Sequence, residues 1–396
     1  MKGNKIAIDR YLETGEVVDS LDLSVNYLVK YVREGGTVPL VLKNKITWCS
    51  TTDGTGATYV EENTDTVLST LTAPSGYSYL IGINGNCYTS ISGFTTPNSN
   101  YLQEFITPRV TTISSNVENI GSAPNGCVVD FRGLKTIGGN FLRFSYIKGD
   151  VDLPSLESIS SSSYVLTRST VLGDVSIGMV SINELGTDFC FNSTLEDLIF
   201  EEAVETTRNI SIKPTSNGRM YLPKLPTTSN NITYGTRTSS KILDMPELLT
   251  SKNLTSGIIK APKLVNTSYF SVDCKEFYAD SLTYMPSFSG YETTIYIPSF
   301  VSVTNISSSN LISLTYSPSS IGLTSSYSLK CQNLQSLTLP RTDKLVELGS
   351  VLSDRFSISD TCIIYVPDIF VNDYKSATNW SRFADRIKGI SERPTT

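Results

Sequence analysis

The chain has 396 residues and a formal net charge of −6, enough length for two or three ordinary domains or for one long array. The acidic balance excludes a broad nucleic-acid surface, which needs clustered lysine and arginine, and no apolar run reaches the ~18 residues of a membrane-spanning helix. Histidine is absent, which removes Ser-His-Asp triads, Cys-His pairs and any zinc site built on imidazole.

The first ten residues, Met1 to Arg10, begin basic, but Asp9 and Arg10 interrupt any apolar core, so the sequence as written reads as carrying no secretory signal. Either a leader has been trimmed or the protein is assembled inside a cell. Val25, Leu28, Val29 and Val32 recur at i, i+3, i+4 and i+7 and predict a short amphipathic helix, ended by Gly35-Gly36. Val38 to Trp48 reads as strand. Asp53-Gly54-Thr55-Gly56 reads as a turn, since it lacks the Lys-Ser/Thr of a phosphate loop. A second β-rich piece around Tyr77 to Ile81 leads to a linker at Thr95 to Asn100. Residues 1–100 are therefore expected to form a small α+β docking or capping region.

From there a phrase recurs: two apolar residues flanking a variable one, then proline, then a further apolar residue two positions on. It stands as Val151-Asp152-Leu153-Pro154-Ser155-Leu156, Met220-Tyr221-Leu222-Pro223-Lys224-Leu225, Leu243-Asp244-Met245-Pro246-Glu247-Leu248, Ile259-Lys260-Ala261-Pro262-Lys263-Leu264 and Ile295-Tyr296-Ile297-Pro298-Ser299-Phe300. Shorter copies end at Pro340 and Pro367, and Arg132, Gly178, Glu201 and Asp280 replace the proline elsewhere. Measured from Pro108, the anchors step by 24, 22, 24, 23, 22 and 23 residues, then by 16, 18, 18, 20, 22 and 27. A period of about 20–29 residues marks a leucine-rich-repeat solenoid. The apolar-variable-apolar triplet has a strand's period of two, and proline, which cannot donate to a ladder, marks the strand's end. The expected fold is mainly β: a leucine-rich-repeat-type right-handed solenoid of about twelve irregular coils over 101–367, closed by a helical cap over 368–396. In that cap Tyr374, Ala377, Trp380, Phe383, Ala384 and Ile387 fall mostly at helical spacing, with Asn372 or Asp373 at the start and Gly389 at the end.

Seven cysteines are scattered without a CxxC pair, which predicts buried free thiols rather than a disulfide framework. Asp150-Val151-Asp152 and Glu201-Glu202 supply too few oxygens for a calcium site, so no metal or cofactor is expected. No local pattern selects a catalytic carboxylate pair, and no enzyme is expected. Seven Asn-X-Ser/Thr triplets, among them Asn209, Asn231 and Asn253, read as chance in a Ser/Thr-rich chain.

The closing segment, Ile364-Tyr365-Val366-Pro367 through Tyr374-Lys375 and Trp380 to Asp385-Arg386-Ile387, resembles the last coil of the BspA-like leucine-rich-repeat family, and Leu334-Gln335-Ser336-Leu337-Thr338-Leu339-Pro340 resembles its repeat. The resemblance covers about residues 101–390, although the family's Ala-Phe pair after the strand is mostly missing. It implies surface adhesion and binding of proteins or glycans, and related repeats occur in phage proteins.

In each coil the variable residue points away from the core, so stacking brings these residues into one outward row. The row reads Asp130, Asp152, Ser176, Tyr221, Asp244, Lys260, Tyr278, Tyr296, Thr338 and Tyr365, with Ile199 in the coil of Glu201 and the coil before Pro318 ambiguous by a residue. Tyr221, Asp244, Lys260, Tyr278, Tyr296, Thr338 and Tyr365 are the candidate binding residues. Tyrosine combines an apolar face with a hydroxyl, which suits protein or glycan recognition, and it also stacks across a ladder. Two roles follow. The first is a structural or receptor-contacting virion component of a phage, with virion proteins or a host surface as partners. The second is a secreted bacterial surface adhesin. A homo-oligomer is compatible with either.

Overall fold

The structure, a computed structural model, describes residues 31–33, 36–38 and 43–394, apart from 64–67, 69–70, 93, 95–98, 125, 180, 183–188, 207–208, 266–269, 283–286, 289–292, 302–305, 319, 322–327 and 350–354. The chain is mainly β and coils as a parallel β-solenoid of about 11 turns, with little helix. It divides into two compact units, Met1–Val175 and Ser176–Thr396.

The recurring phrase is one strand followed by one tight turn. In Leu153-Pro154-Ser155-Leu156 the Leu156 N–H donates to the Leu153 carbonyl at 3.2 Å. The same closure joins Leu248 to Met245 at 3.2 Å, Leu264 to Ala261 at 3.1 Å and Leu134 to Phe131 at 2.8 Å. Proline fits the second position of this turn because its fixed φ is already correct there and no N–H is needed. The turn swings the fourth residue inward: Leu134, Leu156, Leu225, Leu248 and Leu264 are all buried. Pro298 departs from the rule. The strand Thr294–Val301 runs through it, and the ladder absorbs the missing donor by a register shift between Ile297 and Phe300.

In the first unit, Tyr31–Arg33 and Gly36–Val38 pair antiparallel. Val32, expected at the end of a helix, is therefore in a strand, and Gly36 opens the next one instead of ending a helix. The rest of that predicted helix lies outside the described residues. Asn44–Cys49 is flanked antiparallel by Thr58–Asn63 and Tyr79–Gly85. Asp53 shapes the connecting turn: its Oδ1 accepts from the Thr55 N–H at 3.1 Å and from the hydroxyls of Thr55 and Thr51 at 2.8 and 2.9 Å. On its other edge Tyr79–Gly85 pairs parallel with Glu104–Ile106, which pairs parallel with Val128–Asp130. The coiled ladder thus starts within the first hundred residues. A second face stacks Ser90–Ile91, Thr112–Ile113, Thr136–Ile137 and Ser158–Ile159. Between the faces Phe94, Phe105, Phe131 and Phe141 form a file with ring centroids 5.0–5.1 Å apart.

In the second unit the inner rungs are Leu198, Met220, Leu243, Ile259, Phe277, Ile295, Leu314, Leu337, Ile364 and Ile387, each opposite the next in a parallel ladder and none more than 1% exposed. The uneven anchor spacing leaves this register intact, because the connections between strands absorb it. A second sheet stacks Ile210–Ile212, Asn231–Tyr234, Asn253–Thr255, Ser271–Asp273 and Ser287–Phe288. Asn209, Asn231 and Asn253, three of the triplet asparagines, edge this sheet as a hydrogen-bonded file. The Asn209 Oδ1 accepts from the Asn231 N–H at 2.9 Å, and the Asn253 Nδ2 donates to the Asn231 Oδ1 at 2.7 Å. Their recurrence is structural.

The C-terminal segment differs from a single cap helix. The α-helix is short, Val371–Ser376, with Asn372 and Asp373 inside it and no side-chain cap. Ser381–Arg386 is 3-10, and Ile387–Gly389 is a further parallel strand beside Ile363–Val366. Aromatic rings fix this segment: Trp380 packs edge-on against Tyr374 at 5.4 Å, and Phe356 lies 5.7 Å from Phe383.

Candidate functional site

The parallel register places Ile199, Tyr221, Asp244, Lys260, Tyr278, Tyr296, Thr315, Thr338, Tyr365 and Lys388 opposite one another in sequence along the second unit. The ambiguous coil before Pro318 contributes Thr315. The period of two puts a companion row on the same face, two residues upstream: Arg219, Ile242, Ile258, Glu276, Thr294, Ser313, Ser336 and Ile363.

The row is not uniform. At its start Arg219 stacks over the Tyr221 ring at 4.5 Å, donates to Asp197 through Nε at 3.1 Å and reaches Asp244 at 3.4 Å. Tyr221 and Asp244 are thereby engaged within the protein. At the far end Thr315, Thr338 and Tyr365 are only 3%, 3% and 7% exposed. They occupy the outward row without presenting a free surface. The segment Ile390–Pro394 runs beside this end, and Arg393 Nη1 donates to Thr315 Oγ1 at 3.4 Å. Thr338 and Tyr365 are therefore corrected from surface candidates to covered residues.

Lys260, Tyr278 and Tyr296 remain at the centre, over an open trough with two lobes. One lobe, about 540 Å³, spans Asp244, Lys260, Asp280 and Tyr278. The other, about 720 Å³, spans Glu276, Tyr278, Tyr296, Thr315 and Arg393. The two tyrosine rings lie 6.2 Å apart at 39° and belong to both lobes. Tyr278 Oη donates to Glu276 Oε2 at 2.9 Å, two residues back on its own strand. Burial, aided by that hydrogen bond and the carboxylate's charge, pushes the Tyr278 phenol up to about 12, so it stays a donor at neutral pH. Glu276 was legible by the same alternation that gave the row. Arg393 was not, since it arrives from the end of the chain.

The carboxylate pairs considered for cations are otherwise occupied: Lys224 Nζ bonds both Glu202 oxygens at 2.6 Å, and Asp150 Oδ1 accepts from the Asp174 N–H at 3.0 Å. Among the described residues no group of three or more Cys, Asp or Glu side chains is placed to hold a metal ion. The seven cysteines are free thiols, six buried and Cys87 partly so. No protein-family model matches the chain, and no curated protein matches it.

Proposed function

We propose that this chain is a non-enzymatic recognition and scaffold protein whose working surface is the trough over Tyr278 and Tyr296. The carrying observation is that pair of adjacent, tilted tyrosine rings on an open face, ringed by Lys260, Asp280, Glu276 and Arg393. Half-buried tyrosines flanked by both signs of charge bind by contact area and hydrogen bonds. The trough holds no histidine, and burial keeps the Tyr278 phenol protonated at neutral pH, which suits binding more than proton transfer.

The finer reading is a leucine-rich-repeat protein of BspA-like type serving as a phage virion component that contacts a host surface or other virion proteins. The phrase Ile364-Tyr365-Val366-Pro367 and the closing aromatic residues also support a second setting, a bacterial surface adhesin. Mass spectrometry of purified particles against washed cell surfaces separates the two. Copies confined to the cell-surface fraction reject the virion reading. Replacing Tyr278 and Tyr296 by alanine tests the recognition surface itself: partner binding is expected to fall while the melting temperature holds.

A further inference from the structure

We propose that the trough binds a linear saccharide, with successive pyranose rings seated on Tyr278 and Tyr296. This rests on the reading above, that the face recognises a ligand, and names the ligand's chemical class.

The hydrogen bond from Tyr278 Oη to Glu276, two positions back on the same outward face, leans the ring along its strand, where it lines both lobes of the trough. Tyr296 follows on the next rung, its ring 6.2 Å away and tilted by 39°. Rungs ~4.8 Å apart offer one aromatic face per sugar-sized step. A sugar ring has an apolar C–H face, which packs on an aromatic face, and a rim of hydroxyls that both donate and accept. The trough supplies partners of both kinds: the carboxylates of Glu276 and Asp280 accept, while Lys260 and Arg393 donate. Glu276 also receives Tyr278 Oη on Oε2, and Lys275 Nζ lies 3.8 Å from its Oε1, so its remaining lone pairs are the ones a sugar hydroxyl would use. The mixed charge favours a neutral chain over a strongly anionic or cationic one.

An extended peptide fits this face less well. The strands under the trough are hydrogen-bonded to neighbours on both edges, so their backbone offers no edge for strand addition. Both lobes are open troughs, unlike the closed apolar pocket that holds an anchoring side chain at the usual centre of a protein interface.

The test is the full chain on a printed panel of linear neutral and amino-sugar tri- and tetrasaccharides, followed by calorimetric titration of the spots that bind. At least one spot is expected to bind. Tyr278→Ala and Tyr296→Ala are each expected to weaken it by about tenfold or more, with unchanged circular dichroism. If an alanine variant unfolds, Tyr296→Leu keeps the bulk and removes the flat face, and the same loss is expected. A blank panel with folded wild-type chain overturns the saccharide, as does binding indifferent to both tyrosines. A parallel assay on intact bacterial cells, treated with periodate or with protease, separates the two levels. Tyrosine-dependent binding that survives periodate and dies with protease sinks the saccharide and keeps the recognition surface. Binding to sugars and cells that ignores Tyr278 and Tyr296 sinks both.

Discussion

Among single residues, the buried hydroxyls are the most exposed to test. Tyr316 is fully buried at the end of a Leu-Thr-Tyr triplet, and its Oη has no partner among the described residues. Burial pushes its phenol well above the ordinary tyrosine range. A desolvated hydroxyl without a partner costs about 1–3 kcal/mol, and deleting it leaves the ring's packing intact. Tyr316→Phe is therefore expected to be neutral or to stabilise by about 1 kcal/mol, read from urea unfolding; a loss above that would mean the hydroxyl is satisfied. Buried thiols and phenols together lower stability at alkaline pH. Burial raises Cys331 from 9.0 to about 11 and Cys362 to about 12, and it raises Tyr374 from 10.0 to about 12. All three are neutral when protonated and keep their protons longer in the folded state. Their contribution is complete below pH 9 and falls as pH climbs through 9 to 12, because the unfolded chain releases protons first. The urea midpoint is expected to hold from pH 7 to 8.5 and to drop by pH 10.5. The double variant Cys331→Ala, Cys362→Ala should shrink that drop in part, because burial raises the Cys127 and Cys190 thiols as well.

At the scale of the element, close stacking of coils decides what each position tolerates. Gly257 opens the strand reached by the shortest step in the chain, Pro246 to Pro262. A Cβ placed there would lie 1.8 Å from the Ser239 carbonyl oxygen, a backbone atom that cannot turn aside. The Gly257 carbonyl meanwhile accepts the N–H groups of Lys275 and Glu276 at 2.8 and 3.0 Å, tying one coil to the next. Gly257→Ala is expected to cost about 1–3 kcal/mol or more, as overpacking does. The exposed pair Lys224–Glu202 links neighbouring coils at 2.6 Å, yet Lys224→Ala should cost under about 1 kcal/mol, because solvent screens it. Equal losses from the two variants in urea titrations would refute this ranking. The strand-and-turn phrase was legible because proline and the inward leucine each have one local task. The left-handed residues were not. Leu142 and Phe144 have φ of 51° and 54°, Leu166 and Arg168 53° and 55°, and Cys190 and Asn192 50° and 53°. The pair returns every 24 residues, but its residue types share no chemistry, and five of the six are not glycine or asparagine. The ladder holds them in a conformation their own propensities oppose.

For the molecule as a whole, the sequence foretold a repeating ladder and left its ending obscure. Helical spacing over 374–387 was real as a pattern but described aromatic anchors placed by tertiary contacts, so Ile387 became a rung instead of a helix face. Those anchors carry a definite task. The Val346 N–H donates to Tyr374 Oη at 2.8 Å, and Trp380 Nε1 donates to the Val346 carbonyl at 2.7 Å, so two buried backbone groups depend on the last thirty residues. Ile387–Gly389 also covers the edge of Ile363–Val366, which would otherwise offer an unpaired parallel strand to another chain. A chain stopped after Pro367 loses the rung and both partners of Val346, and uncovers Ile364. One stopped after Gly389 keeps all three and loses the segment that carries Arg393 beside the trough and Glu392, whose Oε1 accepts the Gly389 N–H at 3.0 Å. An array needs its terminal coil shielded to remain soluble. The shorter chain is therefore expected to associate and to melt well below the full chain, while the longer one stays within a few degrees of it. Light scattering coupled to size-exclusion chromatography, with a thermal melt of each, reads both quantities. A shorter chain that stays dispersed and melts with the full chain would show that the closing rung and its aromatic anchors contribute little to the fold.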